Sequence, residues 1–478
     1  MVMAPSAWHD IAEDQTTIAY PDDVLSSGRE RSRGLIADAL KSRIDAVDHD
    51  ECIPGEEDAF FVADLGEVYR QHLRWARHLP NIHPHYAVKC NPAPQLVRFL
   101  ASLGTGFDCA SKSEIDLVLS LGVSPDRIVY AQPVKTNSYL TYAKSRGVKQ
   151  MTFDNTDELR KVAAKCPGAE LLLRITTDDS AALCQLSMKF GAALKDCPKL
   201  LKLAKTLGLN VVGVAFHVGS GASDPLAFKK AVSDSKTVFN WGHDYGHEMK
   251  ILDVGGGFSD DSFDDMAGVL RAELDEHFPS SSGVRIIAEP GRYYAATAFT
   301  LACHVIARRV VESGDVEFEG PEGSVRSVDD KAGEIVSPAA SNMHNSGDHG
   351  AFDLAEEREG SGSESYMLYL NDGVYGNFSS IMFDHQQPIP RVLKADGRFF
   401  YQILTGRRIT YSIWGPTCDG IDCISSRVEL SEKVEVGDWM YFEDMGAYTM
   451  CSATRFNGFP DGHDVVWVGA DALPGFGL

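Results

Sequence analysis

From about residue 85 to residue 292, short apolar runs rich in β-branched and aromatic residues alternate with stretches whose apolar positions recur at helical spacing. The strand-like runs are His85–Lys89, Gly106–Cys109, Arg127–Ala131, Gln150–Phe153, Glu170–Ile175, Val211–His217, Lys250–Val254 and Arg285–Ala288. Between them lie amphipathic stretches such as Gln95–Leu103, Ser113–Leu121, Asp157–Lys165 and Phe228–Trp241. Asn155-Thr156-Asp157-Glu158 reads as the capped start of a helix, and Gly104, Gly122, Gly147 and Gly208 as helix stops. Eight such alternations with short connections predict an α/β fold built as a (β/α)8 TIM-like barrel. An open doubly wound sheet is the alternative. Ala59-Phe60-Phe61-Val62 reads as a strand feeding the barrel, which sets the expected domain at 59–296.

After residue 297 the period changes. Phe299–Val311, Ser365–Leu370, Phe399–Leu404, Thr410–Trp414 and Trp439–Glu443 read as strands without intervening helices, so 297–478 is expected to be a β-rich domain of sandwich or Greek-key type. Within it, Ser313 to Glu364 is rich in Gly, Ser, Asp and Glu and poor in large apolar residues, which predicts a disordered acidic insertion at about 313–364. Residues 1–58 predict a flexible acidic start and one helix, Leu35–Val47, joining the β domain.

Composition narrows the partners. The chain has 478 residues and a net charge of -23, so phosphate-rich surfaces are repelled while cationic small molecules are attracted. Nucleic acid and membrane are therefore not expected as partners. No apolar run approaches the roughly 20 residues that span a bilayer. The first residues lack a basic stretch followed by an apolar core, so no secretory signal is visible and a cytoplasmic protein is expected. The ten cysteines follow no framework spacing; Cys418 and Cys423 are too far apart for a CxxC, and free thiols are the expectation. No metal site is expected.

In a (β/α)8 barrel the reactive groups sit at the carboxyl ends of the strands. Here those ends carry Lys89, Asp108, Asp154, Arg174, His217, Asp253 with Gly255-Gly256-Gly257, and Glu289 with Pro290, Gly291 and Arg292. Any one of them can be a turn residue or a satisfied core group. Together they suggest the chemistry of pyridoxal 5'-phosphate. A lysine amine whose pKa burial has lowered can attack the cofactor aldehyde, and a carboxylate such as Glu289 can pair with the pyridine nitrogen. The triglycine and Arg292 fall in the loops after the seventh and eighth strands, where barrels commonly bind phosphate. Ser220 can donate to that phosphate, and His217 can lie flat against the ring.

These residues, in this order, resemble the eukaryotic ornithine decarboxylase family, pyridoxal phosphate enzymes of the alanine-racemase-like fold. The runs that carry the resemblance are Tyr86-Ala87-Val88-Lys89-Cys90-Asn91, Phe107-Asp108-Cys109-Ala110-Ser111, Phe216-His217-Val218-Gly219-Ser220-Gly221 and Asp253-Val254-Gly255-Gly256-Gly257-Phe258. They continue through Glu289-Pro290-Gly291-Arg292-Tyr293-Tyr294, Asn371-Asp372-Gly373-Val374-Tyr375-Gly376, Trp414-Gly415-Pro416-Thr417-Cys418-Asp419-Gly420 and Gly446-Ala447-Tyr448-Thr449. The resemblance covers about 56 to 460, apart from the insertion.

It implies that Lys89 holds the cofactor with Asp108 beside it, that His217 stacks on the ring and that Glu289 meets its nitrogen. Ser220, Gly257, Gly291, Arg292 and Tyr448 would meet the phosphate, with Arg174, Gly255, Gly256 and Pro290 completing the cofactor site. Family members are head-to-tail homodimers with shared active sites. Cys418, Asp384 and Asp419 would then reach in from the partner, with Phe383 and Tyr375 lining the cleft and Lys189 and Asp422 bridging the subunits. Cys418 would be the acid that returns a proton to the α-carbon. The implied reaction is decarboxylation of L-ornithine to putrescine and carbon dioxide, the entry step of polyamine biosynthesis. Antizyme is a possible regulator. The alternatives within the resemblance are a lysine or dual ornithine/lysine enzyme, one methylene away, and an inactive antizyme-binding homologue. Such a homologue would be expected to have lost cofactor contacts that this chain keeps. The chain also lacks the Pro/Glu/Ser-rich tail of some animal members, which speaks against tail-driven turnover.

Overall fold

The computed structural model describes residues 22–48, 51–222, 224–311, 365–403, 405–406, 408–462 and 464–469. The acidic insertion and the flexible start expected from the sequence lie outside the described residues. Contacts divide the chain into two compact units. The first comprises residues up to Ala302 with Val374–Ile389 and the chain from Phe442 on; the second comprises Cys303–Gly373 and Pro390–Tyr441.

The first unit contains a closed barrel of eight parallel strands, Ile82–Ala87, Gly106–Cys109, Ile128–Tyr130, Gln150–Phe153, Glu170–Arg174, Asn210–Ala215, Ile251–Asp253 and Arg285–Ala288. They pair in chain order, and the eighth closes on the first through Ile286 opposite Ile82 and Ala288 opposite Pro84. Val129, Leu172, Val212, Ile251 and Ile287, all at most 3% exposed, form a cluster of inward apolar side chains. Burying such branched residues is what holds the ring closed. Helices Pro94–Ser102, Lys112–Ser120, Thr156–Lys165 and Leu226–Asp244 lie within a few residues of the predicted bounds. Asn155 caps the third of these, its side chain accepting from the N–H groups of Asp157 and Glu158.

Several boundaries differ from expectation for physical reasons. The first strand starts at Ile82 and ends at Ala87, so Lys89 sits not on the strand but in the 3-10 turn Val88–Cys90 that follows it. That turn is fixed by Tyr86, whose hydroxyl donates to the Asn91 carbonyl at 3.0 Å, and by the Ala87 N–H donating to Pro290 O at 3.2 Å. The sixth strand stops at Ala215, two residues short of His217. Phe60–Asp64 precedes the first barrel helix but is not a barrel strand: it pairs antiparallel with Phe299–Ala302 and parallel with Asp464–Val468. Asp64 turns the chain into helix Leu65–His78 by accepting from the Gly66 N–H at 2.8 Å.

The predicted boundary after residue 296 is also not where the units part. The chain returns to the first unit twice, because Val374–Ile389 and Phe442–Leu478 find their partners there. Asn91 Nδ2 donates to Gly446 O at 2.9 Å, and Tyr375 stacks on Phe456 with ring centroids 4.2 Å apart. The N-terminal helix, Asp22–Asp45 rather than Leu35–Val47, likewise belongs to the first unit, where Leu40 and Ile44 are buried.

The second unit is a mixed sheet. Ser365–Leu370 pairs antiparallel with Val305–Val311 and parallel with Ile409–Trp414, which pairs antiparallel with Cys423–Leu430. Arg391–Ala395 joins Arg398–Phe399 and Trp439–Tyr441. Of the strand expected over Phe399–Leu404, Phe399 alone pairs among the described residues, in the short strand Arg398–Phe399, and Gln402 beyond it has φ 57°. All ten cysteines are free. Among the described residues no helix is long and apolar enough to cross a membrane.

Burial, with a smaller push from His83, holds the His72 imidazole down to about 4; burial and Arg285 do the same to His83. An unfolded histidine titrates near 6.5. Below that pH the unfolded chain therefore binds protons that the native one refuses, so the stability present above about 6.5 is lost as pH falls towards about 4. The melting temperature, followed by circular dichroism, should decline across that window, and His72→Asn should make the decline shallower. An equal decline in both proteins would remove His72 as a cause.

Candidate active site

The carboxyl ends of the barrel strands gather an unusual density of charge. Asp108, fully buried on the second strand, takes Lys89 in a short ion pair. The strand register puts Asp108 opposite Ala87, so the turn beyond Ala87 brings the lysine over it. Burial pulls the Lys89 pKa down, but Asp108 and then Glu289 more than reverse this, and the net shift is upward. The expectation that burial alone lowers it is thus corrected: the buried carboxylates outweigh desolvation.

Glu289 follows the eighth strand, its N–H bonded to Gly255 O at 2.6 Å. Burial, then the charges of Asp108 and Asp253, push its carboxyl well above the ordinary range. Asp253 is pushed up to about 7, mainly by burial, although its Oδ1 accepts the Gly255 N–H at 2.9 Å. Three carboxylates therefore share the positive charge of Lys89 and Arg174.

His217 stands beside them. Its Nδ1 accepts the Gly219 N–H at 3.0 Å, which puts the proton of the neutral ring on Nε2. Burial first, then Arg174 and Lys89, hold its pKa far below the usual histidine value. The ring stays neutral.

Two glycines make the adjoining corner. Gly255 has φ 67°, and a Cβ there would lie 2.1 Å from Phe216 O; Gly257 has φ 102°, and its Cβ would lie 2.8 Å from Gly219 O. Only glycine fits at these two positions. Gly256 between them and Gly291 after Pro290 keep the rest of this backbone bare. Ser220 lies on the strand Ser220–Ala222, which pairs antiparallel with Ala182–Cys184. Arg292 starts the short helix Arg292–Ala295; its Nη2 donates to Ser220 Oγ at 3.2 Å and to Asp384 Oδ1 and Oδ2 at 2.6 and 2.7 Å. Its guanidinium carbon lies 5.1 Å from the centroid of the Tyr448 ring. Tyr448 has φ 57°, a left-handed backbone rare for so large a residue, and its N–H is tied to Cys90 O at 3.0 Å.

Other predicted residues stand elsewhere. Asp384 was expected from a partner subunit, but this chain supplies it to its own Arg292, because the turn after helix Ser380–Phe383 packs within the barrel unit. Phe383 beside it is 66% exposed. Asp154 anchors a turn, its Oδ2 accepting the Gly191 N–H at 2.9 Å, while Arg174 lies 5.6 Å from the Phe190 ring centroid. Cys418, exposed, and Asp419 lie in the second unit, on the loop between Ile409–Trp414 and Cys423–Leu430. Asp422 is 1% exposed and braces that loop, its Oδ2 accepting from Thr417 N at 3.0 Å and Oγ1 at 2.6 Å. Lys189 is exposed, with Nζ 5.1 Å from the Phe190 ring centroid. Sequence reasoning missed Cys184, whose Sγ donates to Asp384 Oδ1 at 3.6 Å. Its strand is three residues long and carries no alternation that would announce it.

The residues fit pyridoxal phosphate. Among the described residues, Arg292 Nε, Asp108 Oδ1 and Asp253 Oδ2 are buried polar atoms without hydrogen-bond partners, the first on the arginine that meets Ser220 and the second on the carboxylate that meets Lys89. A donor set for an anion thus lies next to an amine and acidic groups for a basic heterocycle.

Residues 65–296 match the family model described as pyridoxal-dependent decarboxylase, pyridoxal binding domain. The class defined by barrel and site is therefore that of pyridoxal-dependent decarboxylases. An ornithine decarboxylase of Neurospora crassa is 56% identical over 94% of this chain and 90% of its own length. An antizyme inhibitor 2 of Xenopus laevis is 46% identical over 89% of this chain and 83% of its own. The crystal structure of the Paramecium bursaria Chlorella virus arginine decarboxylase bound to agmatine superposes with a TM-score of 0.74 at 32% identity, covering 90% of this chain and 100% of that one. The chain belongs to the ornithine decarboxylase family.

Proposed function

We propose that this chain decarboxylates L-ornithine to putrescine and carbon dioxide with pyridoxal phosphate, the entry step of polyamine biosynthesis. The observation that carries this reading is the buried Lys89–Asp108 pair beside Glu289 and His217 at the mouth of a closed barrel, in a chain 56% identical to an ornithine decarboxylase. Lys89 would hold the aldehyde carbon, Glu289 the ring nitrogen and His217 the ring face; Ser220, Gly257, Gly291, Arg292 and Tyr448 would hold the phosphate. When bound, the cofactor supplies an electron sink for the α-carbon of an amino acid.

The protein's own groups do the rest. Lys89 must shed a proton before it can act as a nucleophile, and Asp108 is in contact to take it. Burial and the charges of Asp108 and Asp253 raise the Glu289 pKa, so its carboxyl holds a proton more firmly than an ordinary one and would sit as the partner of a ring nitrogen. Asp384 and, brought by a second copy of the chain, Asp419 would receive the distal ammonium of a diamino acid. Cys418, brought by a second copy of the chain in a head-to-tail homodimer, returns a proton to the α-carbon. A cytoplasmic site and regulation by antizyme accompany this reading. Likeness to antizyme inhibitor 2 raises the alternative of an inactive binding protein, against which the chain keeps Lys89, Asp108, His217, Glu289, Cys418 and Tyr448.

Incubated with pyridoxal phosphate and equimolar ornithine, lysine and arginine, the purified protein should release putrescine as the main product. Cadaverine should be minor, since one methylene discriminates by only about 1–3 kcal/mol. Cadaverine or agmatine in excess would overturn the substrate assignment; no carbon dioxide from any of the three would leave the inactive reading standing.

Shared sites make a second expectation. Lys89→Ala and Cys418→Ala subunits, mixed and allowed to exchange, should recover about a quarter of wild-type activity, because half the dimers then carry one intact site of two. No recovery, with exchange shown by mass spectrometry of the mixed dimer, would contradict the head-to-tail arrangement.

A further inference from the structure

Arg292 is the only side chain donating to both oxygens of Asp384 among the hydrogen bonds described above, and it is also the cation of the glycine corner. The pair is sheltered: the Asp384 side chain is 5% exposed and that of Arg292 is 11% exposed. Asp384 is held from several sides. Its N–H donates to Ser380 O at 3.0 Å, Gln386 Nε2 donates to its carbonyl at 3.0 Å, and Cys184 Sγ donates to Oδ1 at 3.6 Å. None of these neighbours brings a second positive charge.

One guanidinium cannot neutralise both a carboxylate and a phosphate. With both in contact, the sheltered corner would carry a clear excess of negative charge, and like charges repel more strongly where water is excluded. A cation placed on Asp384 has the opposite effect, because it draws the carboxylate's charge away from Arg292. We infer that Asp384 is a movable partner that competes with phosphate for Arg292 and thereby couples the two ends of the site. Phosphate on Arg292 releases Asp384 to the distal ammonium of a diamino acid. A diamine on Asp384 releases Arg292 to phosphate. The coupling is reciprocal, as linkage requires. Asp384 is here a positioning residue as well as a contact for the substrate. The inference rests on the proposed assignment of Arg292 to the cofactor phosphate.

The test is binding of inorganic phosphate to the full chain by isothermal titration calorimetry, with and without 1,4-diaminobutane. Inorganic phosphate keeps amine–aldehyde chemistry out of the readout. For the wild-type protein, diamine should tighten phosphate binding about tenfold. Asp384→Asn should bind phosphate about tenfold more tightly than wild type without diamine, and diamine should then have no effect. If Asp384 instead merely braces Arg292, Asp384→Asn will bind phosphate as weakly as wild type or more weakly, and the inference is overturned. A wild-type protein indifferent to diamine overturns it too, and that arm needs no variant to fold. Arg292→Ala separates the two layers. If it binds pyridoxal phosphate as wild type does, by fluorescence titration, the assignment of the phosphate corner fails and the coupling with it. If Arg292→Ala is weakened while Asp384→Asn is not tightened, only the coupling fails.

Discussion

The site depends on one constraint: a lysine and several carboxylates are held together inside a barrel where none can be solvated separately. A buried charge without a partner costs several kcal/mol, so Asp108 can sit fully buried only because Lys89 is in contact with it. The same economy governs Glu289 and Asp253: burial raises both carboxyls, the charges of Asp108 and Asp253 raise Glu289 further, and the charge of Asp108 raises Asp253. The Glu289 carboxyl thereby holds a proton more firmly than an exposed one would, next to a charged amine on Lys89. A basic heterocycle with an aldehyde answers both demands at once, which is why the cluster reads as a cofactor site and not as a structural ion pair.

The barrel makes that cluster possible. Its interior is filled by branched apolar side chains, so the polar residues are pressed to the rim, where backbone turns aim them inwards. The rim is also where the chain tolerates strain. Gly255 and Gly257 take left-handed conformations that bring bare backbone into the corner, and Tyr448 adopts one that places its ring beneath Arg292. Arg292 links this corner to Asp384 through a sheltered ion pair. The family's similarity to ornithine, lysine and arginine decarboxylases fits this plan.

Much of this was legible in the sequence because it is periodic or local. Eight apolar runs separated by amphipathic stretches with short connections fit a closed parallel sheet better than an open one, and six of the eight predicted runs overlap their strands almost residue for residue. The first strand begins earlier than expected, at Ile82, and runs through Pro84, which pairs with Ala288 of the eighth strand. Lys89, expected at the end of that strand, stands in the turn Val88–Cys90 just after it. What escaped was long-range. Nothing near Val374 or Phe442 announces that those segments return to the barrel unit, because the contacts that decide it, such as Asn91 with Gly446, join residues hundreds of positions apart. The direction of the Lys89 shift escaped for a related reason. Burial is suggested by an apolar run, but the number of carboxylates around an amine is set only by folding.

The central claim is that Lys89, pressed against Asp108 at the barrel mouth, is the amine that holds the cofactor. Borohydride reduction of the purified protein with pyridoxal phosphate, followed by proteolysis and mass spectrometry, tests this most directly. The account predicts one pyridoxyl-phosphate adduct, on the peptide carrying Lys89, and its loss in Lys89→Arg without a replacement elsewhere. An adduct on another lysine, or none on a protein that still decarboxylates ornithine, would contradict it.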